Sequence, residues 1–304
     1  MVDMNNSLSD SLVGSNTNLL ALHVNSTKPF IARNGSAAGY KIEDFDILTT
    51  ILSALLWRKY NGKIKLYTDS VGFGYYRNMG ILDLWNGGVD VDTLDNLPKD
   101  IRYDIFWASS KIYAIRKEKV PFVMMDTDML VWKPIHNLVA DYKLAAFHEE
   151  DLCIDCYLPL PLLKRRSDYL PDKRWNWRVL PCNTALTYFN DPEFLSYYTN
   201  EAIYFMRDNK DTPMEFVSQM VFAEQRIFSM CADVMGIDVY KFLSFPEEQA
   251  GFTHIWGLKT LVFDDKVARK TLCRSLCEAI DANFPDYSKS DPVMAIFDEY
   301  FYGK

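Results

Sequence analysis

The sequence predicts an α/β fold: a Rossmann-like mixed sheet with helices on both faces and a helical C-terminal tail. Three observations predict it. Residues 19–68 read as strand, helix and strand, the unit that builds a parallel sheet through a right-handed crossover. The run Val120-Pro121-Phe122-Val123-Met124-Met125 is almost wholly apolar, as a strand buried on both faces requires. It leads into Asp126-Thr127-Asp128, two carboxylates at the carboxyl end of a strand, where open α/β sheets place their ligands.

Taken in order, residues 1–18 are polar and rich in Ser and Asn, without the basic-then-apolar pattern of a secretory signal. No apolar run approaches the length that spans a bilayer, so the expected location is cytoplasmic. Residues 19–24 form a first strand, closed by Asn25-Ser26-Thr27. Phe45, Leu48, Ile51, Leu52, Leu55 and Leu56 recur at helical spacing and predict a helix over 42–60, ended by Asn61-Gly62. A second strand covers 64–68, a Gly- and Tyr-rich turn or short helix 72–80, and a short edge strand 89–94. A helix over 105–119 carries Lys111 and Arg116 ahead of the central strand, and residues 144–148 form the next strand.

Residues 149–181 break the rhythm with Pro159, Pro161, Pro171 and Pro181, the basic cluster Lys164-Arg165-Arg166, and Trp175-Asn176-Trp177. An irregular stretch of this length inside a compact domain is usually a functional loop. Order returns with a strand over 182–189, a helix from Asp191-Pro192 to about 207, and a helix over 215–235 ended by Gly236. Short strands follow at 239–243 and 252–256, then helices over 261–304 broken at Asn283-Phe284-Pro285. The expected organisation is a polar segment 1–18, a catalytic domain 19–260 that includes loop 149–181, and a helical extension 261–304.

A net charge of −8 with no basic stripe argues against nucleic acid or an anionic membrane surface as main partner. Six cysteines are too sparse for a disulfide scaffold. Cys153-x-x-Cys156 and Cys273-x-x-x-Cys277 lack a second Cys/His pair at zinc-finger spacing, so they read as free thiols. The aromatic share of 14% suggests that some rings line a groove; Trp175 and Trp177 either stack an acceptor sugar or pack the loop onto the core. In an extended segment Asp126 and Asp128 project to one side, and two hard oxygen donors there suit a divalent cation with a phosphate on its far side.

The ordered set Lys111, Asp126-Thr127-Asp128, Cys182-Asn183-Thr184-Ala185-Leu186, Glu224-Gln225 and His254-Ile255-Trp256-Gly257-Leu258-Lys259 resembles the GT-A-type nucleotide-sugar glycosyltransferases. It is most similar to the glycogenin and lipopolysaccharide-galactosyltransferase group, family 8. The resemblance runs colinearly from about Leu19 to Lys259 and rests on the motifs. It implies a single GT-A-like domain that moves a sugar from a nucleotide-sugar donor, UDP-linked by expectation, to a glycan, lipid or protein acceptor with retention. It also implies Mn2+ or Mg2+ held by Asp126, Asp128 and His254, with Asp126 also contacting the donor ribose. Gly257 and Lys259 match the element that meets the diphosphate, although the lysine follows the glycine by two residues rather than three. Asn183 matches the asparagine beside the donor sugar, with Ala185 where glycine is usual. Glu224-Gln225 matches an Asp-Gln pair next to the reacting carbon, and Lys111 stands where an arginine contacts the donor. Glu224 could serve as general base, or Gln225 as an orienting amide.

Two other readings share these residues. A haloacid-dehalogenase-like phosphatase also ends an apolar strand in Asp-x-Asp, and Leu261-Val262-Phe263-Asp264-Asp265 could mimic its later acids. Against it, Leu130 stands two residues after the second Asp where Thr or Val is usual, and over a hundred residues precede Asp126. A non-catalytic sugar- or metal-binding protein would need only part of the set.

Overall fold

A computed structural model describes residues 18–153, 155–209, 216–245, 250–289 and 291–300. Its strands are β1 Ala21–Asn25, β2 Ile64–Thr68, β3 Val89–Asp90, β4 Phe122–Met125, β5 Met129–Val131, β6 Leu144–Ala146, β7 Leu186–Phe189, β8 Val239–Lys241 and β9 Phe252–His254. Seven of them form one sheet in the order β3-β2-β1-β4-β7-β6-β8, while β5 and β9 pair apart from it. β7 alone runs against its neighbours β4 and β6, so the sheet is mixed and mostly parallel, as expected.

The central strand is buried at every position. Val123 and Met125 enter one core with helix Asp44–Tyr60 and helix Lys266–Asn283, whereas Phe122 and Met124 enter a second core with helices Ser109–Lys117 and Pro192–Met206. Period-two alternation across two apolar layers explains why the strand carries no polar face. Helix Asp44–Tyr60 is itself buried without a break from Ile47 to Trp57. Thr49 and Thr50 are tolerated within it because each hydroxyl donates back to the carbonyl four residues earlier, at 2.6 and 2.8 Å.

The apolar run after Met125 does not continue as one strand. The Met129 N–H donates to the Asp126 carbonyl at 3.0 Å and closes a turn over the two aspartates. β5 then leaves the sheet and pairs antiparallel with β9, Met129 opposite His254. The aspartates are therefore brought together by a turn, not by strand alternation. Other differences are local. Residues 89–94 split into β3 and a helical turn Asp92–Asp95, and the strand expected at 182–189 begins at Leu186. A short helix Lys28–Asn34 follows β1 unannounced. The expected helix over 215–235, of which residue 215 lies outside the described residues, is helical from Phe216 to Val234 with one π-helical turn at Phe222–Arg226. Helix Trp256–Asp264 runs through residue 260, and helix Lys266–Asn283 shares the core of Asp44–Tyr60, so the tail is built onto the sheet layer. Residues 1–17 and 301–304, the ends of the expected terminal segments, lie outside the described residues. Among those described, no helix is long and apolar enough to cross a membrane.

One buried polar chain ties β5 to the sheet. The Trp85 indole N–H donates to His23 Nδ1 at 3.4 Å, which leaves Nε2 to carry the ring proton towards Ser53 Oγ at 3.2 Å. Ser53 in turn donates to the Met129 carbonyl at 2.6 Å, just past the aspartate turn. Burial lowers the His23 pKa from 6.5 to about 3. The folded imidazole stays neutral while the unfolded chain protonates below 6.5, so its contribution is complete above 6.5 and is lost as pH falls towards 3. Between pH 6.5 and 5 the expected loss is about 2 kcal/mol, at about 1.4 kcal/mol per pH unit. Denaturant unfolding at pH 7 and pH 5 measures it. A His23→Gln chain with the wild-type pH dependence would refute the assignment.

Candidate active site

β1 leads outward to β2 and β3, and the chain then returns to the other side of β1 as β4. This reversal makes the carboxyl ends of β1 and β4 a topological switch point, the usual ligand crevice of an open α/β sheet. Asp126 leaves β4 there, its N–H bonded to the Ala185 carbonyl at 2.8 Å. One backbone bond ties Asp128 to the end of β9: its carbonyl accepts from Ile255 N–H at 3.1 Å, and His254 Nε2 lies 3.5 Å from its Oδ1. Asp126, Asp128 and His254 could hold a metal ion, since their ligand atoms all lie within 4.8 Å of one another. The donor set fits Mn2+ or Mg2+: two hard carboxylates and an imidazole. His254 Nε2 is buried, has no hydrogen-bond partner and faces the carboxylate, which is the state of a nitrogen left for a ligand.

Two lysines sit on the two aspartates. Lys111 Nζ lies 2.5 Å from Asp126 Oδ1 and 3.0 Å from Glu224 Oε1. Lys259 Nζ lies 3.0 Å from Asp128 Oδ2 and 2.9 Å from Asp46 Oδ1. Burial opposes the charge on Asp128, but the His254 imidazole and the Lys259 ammonium outweigh it and hold its carboxyl well below the usual range. For Lys111 burial works against the ammonium, and Asp126 and Glu224 more than restore it, so the pKa rises. For Glu224 burial wins over Lys111, and the nearby Asp126 adds to it, so its pKa is raised.

The remaining expected residues fall around this centre. Glu224 and Gln225 lie in the π-helical turn, a distortion that often marks functional positions. Asn183 Oδ1 accepts from Ala185 N–H at 3.0 Å and so braces the residue whose carbonyl holds Asp126. Its Nδ2 donates to Glu150 Oε1 at 2.7 Å, and the Tyr157 hydroxyl donates to Gln225 Oε1. Gly257 is exposed at the start of helix Trp256–Asp264, with open space around it; no side chain caps that helix, and Lys259 lies in its first turn.

Loop 149–181 is closed at its base by pairing of Glu149 with Cys182 and by bonds between the 147–150 and 181–183 backbones. Trp175 is core packing, 4% exposed, its indole donating to the Tyr197 hydroxyl at 3.1 Å. Trp177 is 37% exposed and stacks on Phe222 at an interplanar angle of 14°. The two arginines of the basic cluster are spent on structure. Arg165 donates to the Leu160 carbonyl, and Arg166 to those of Tyr204 and Arg207. All six cysteines are free.

Asp46, Glu150 and Tyr157, which contact Lys259, Asn183 and Gln225 respectively, were not among the expected residues. Glu150 had a signal: a carboxylate close behind a strand's carboxyl end. Asp46 had none beyond its place in the first turn of a helix, where acids are common.

The family described as a family of unknown function, DUF6734, matches residues 27–290. The chain belongs to that family. This DUF6734 chain matches no curated protein. Among solved structures, mouse xyloside xylosyltransferase 1 in its apo form is 11% identical, covering 74% of this chain and 85% of that one at a TM-score of 0.36. The apo WbbM bifunctional glycosyltransferase is 11% identical over 97% of this chain and 54% of its own, with a TM-score of 0.42. The inositol-1-phosphate CTP transferase from T. maritima is 13% identical over 75% and 86%, at 0.36.

Proposed function

We propose that this chain is a metal-dependent glycosyltransferase of the GT-A type, similar to family 8, taking a sugar from a UDP-sugar to a hydroxyl of a glycan, lipid or protein with retention. The observation that carries the reading is the Asp126, Asp128 and His254 triangle at the switch point, with Lys259 and an uncapped helix start beside it. That helix start, with Gly257 in its first turn, is suited to an anion through its free N–H groups and dipole. A divalent ion bound to the triangle would neutralise charge developing on a leaving diphosphate. Lys259 and Lys111 would add ammonium charge on the same side. Asn183 would bind the donor sugar from a position fixed by Ala185 and Glu150. Glu224 and Gln225 would flank the reacting carbon. With its pKa raised by burial, Glu224 is poised closer to neutral pH than an exposed glutamate, which suits an acid–base group.

The later acids of the phosphatase reading lie at helix ends. Asp264 ends a helix, and Asp265 caps the next one by accepting from Val267 and Ala268 N–H at 2.8 and 3.1 Å. Purified protein incubated with UDP-sugars and Mn2+ is expected to release UDP and to be stabilised thermally by UDP with Mn2+. Hydrolysis of a generic phosphate ester with no nucleotide requirement would support the phosphatase instead; no response to either would leave a binding protein. His254→Ala is expected to raise the Mn2+ concentration for half-maximal stabilisation by about tenfold or more. Unchanged Mn2+ affinity would remove His254 from the site.

A further inference from the structure

Each aspartate of the triangle already has an internal cation. Lys111 occupies Asp126 and Lys259 occupies Asp128, and each lysine has a second carboxylate within reach, Glu224 and Asp46 respectively. A divalent ion entering the triangle therefore meets an ammonium group on each of the two carboxylates it needs, Lys111 on Asp126 and Lys259 on Asp128, in a site partly screened from solvent, where Asp128 is 5% exposed. Like charges at this range in a buried site repel strongly. Neither lysine has to leave the site when displaced, because Asp46 and Glu224 keep hold of it on the far side. A displaced ammonium held a few ångströms from the ion is well placed for the second anion of the complex, the diphosphate.

We propose that Lys111 and Lys259 form a latch that holds the metal site closed until a diphosphate arrives: the cation binds weakly alone, and cation and diphosphate bind in strong synergy because the diphosphate takes the lysines off the aspartates. Asp46 is a positioning residue in this scheme, holding Lys259 beside the ion. The diphosphate half of the proposal rests on the nucleotide-sugar reading, whereas the competition between lysine and cation does not. Linkage fixes the sign of both effects. Removing an ammonium must tighten binding of Mn2+ alone and weaken the response to diphosphate.

The test is calorimetric titration of Mn2+ into the metal-free full chain, alone and with UDP or inorganic pyrophosphate. Wild-type protein is expected to bind Mn2+ about tenfold more tightly with either anion present, a coupling of ordinary size. Lys259→Met should bind Mn2+ alone about tenfold more tightly than wild type and lose most of the coupling. Lys259 is chosen because its side chain is 27% exposed, and Lys259→Gln, which keeps a hydrogen-bonding head without the charge, serves as the second variant if the first fails to fold. Synergy with pyrophosphate as well as UDP identifies the diphosphate as the trigger. If the lysine variants bind Mn2+ more tightly but neither anion binds wild type, the lysine–cation competition stands and the nucleotide reading falls. Mn2+ affinity that is unchanged or weaker in folded Lys259→Met overturns the latch, as does absence of Mn2+ binding in every variant.

Discussion

Asp128→Ala is expected to abolish the thermal stabilisation that UDP and Mn2+ give together. Asp128 touches two of the other groups of the site, His254 at 3.5 Å and Lys259 at 3.0 Å. In wild-type protein, ligand at a hundred times its Kd stabilises by about 2.7 kcal/mol, a shift of several degrees in Tm. The variant should show none of it, and UDP release from a UDP-sugar should fall by about 100-fold or more, the scale of losing one charge-stabilising group. The unliganded variant has to be melted in parallel, because the buried turn could also loosen. Asp128→Asn separates the two effects: it keeps the shape of the turn and removes the charge. Retention of the full UDP and Mn2+ shift in folded Asp128→Asn would contradict the site.

The second large effect is on stability. Lys111→Met is expected to destabilise the unliganded protein by about 3–5 kcal/mol, the cost of leaving a buried charge uncompensated. Here Glu224 and Asp126 both lose their cation. Glu224→Gln should recover part of this loss in the double variant, because the neutral amide no longer needs the ammonium. The sum of the single effects should therefore exceed the double effect by about 1 kcal/mol or more, as for groups in one network. Guanidinium unfolding of the four proteins measures the cycle. Strict additivity would mean that the 3.0 Å contact contributes nothing.

The parts of the fold visible in the sequence are those with a local period. Helix Asp44–Tyr60 was readable because its apolar positions recur every three to four residues, and β2 because Ile64 to Thr68 is bracketed by Gly62 and Asp69. The break of the central run at Asp126 was not readable. The pairing that captures Met129–Val131 comes from Phe252–His254, more than a hundred residues away, and no window of sequence contains both. The same distance hid Asp46, whose role appears only when Lys259 lands beside it. Motif order did place Asp126, Asp128 and His254 in one expected site, and the fold brings their ligand atoms together. It could not foresee that Trp175, in a segment without period, would be buried while Trp177 two residues on would remain partly open. Nothing in composition distinguishes the two.

The closed base of loop 149–181 has a consequence for how such a protein can change. Its two ends are held together by the Glu149–Cys182 pair and the neighbouring backbone bonds, independently of what lies between them. Once the ends are fixed, doubling the length of a flexible loop costs only about 0.6 kcal/mol. The Asp126, Asp128 and His254 triangle hangs on the turn after β4 and on β9, outside this segment. Insertions or deletions between the anchors can therefore reshape one rim of the crevice while the turn over Asp126 and Asp128 stays where it is. Change of this kind is limited to the parts of the loop that bear no load, because Trp175 packs in the core while Glu150 and Tyr157 hold Asn183 and Gln225.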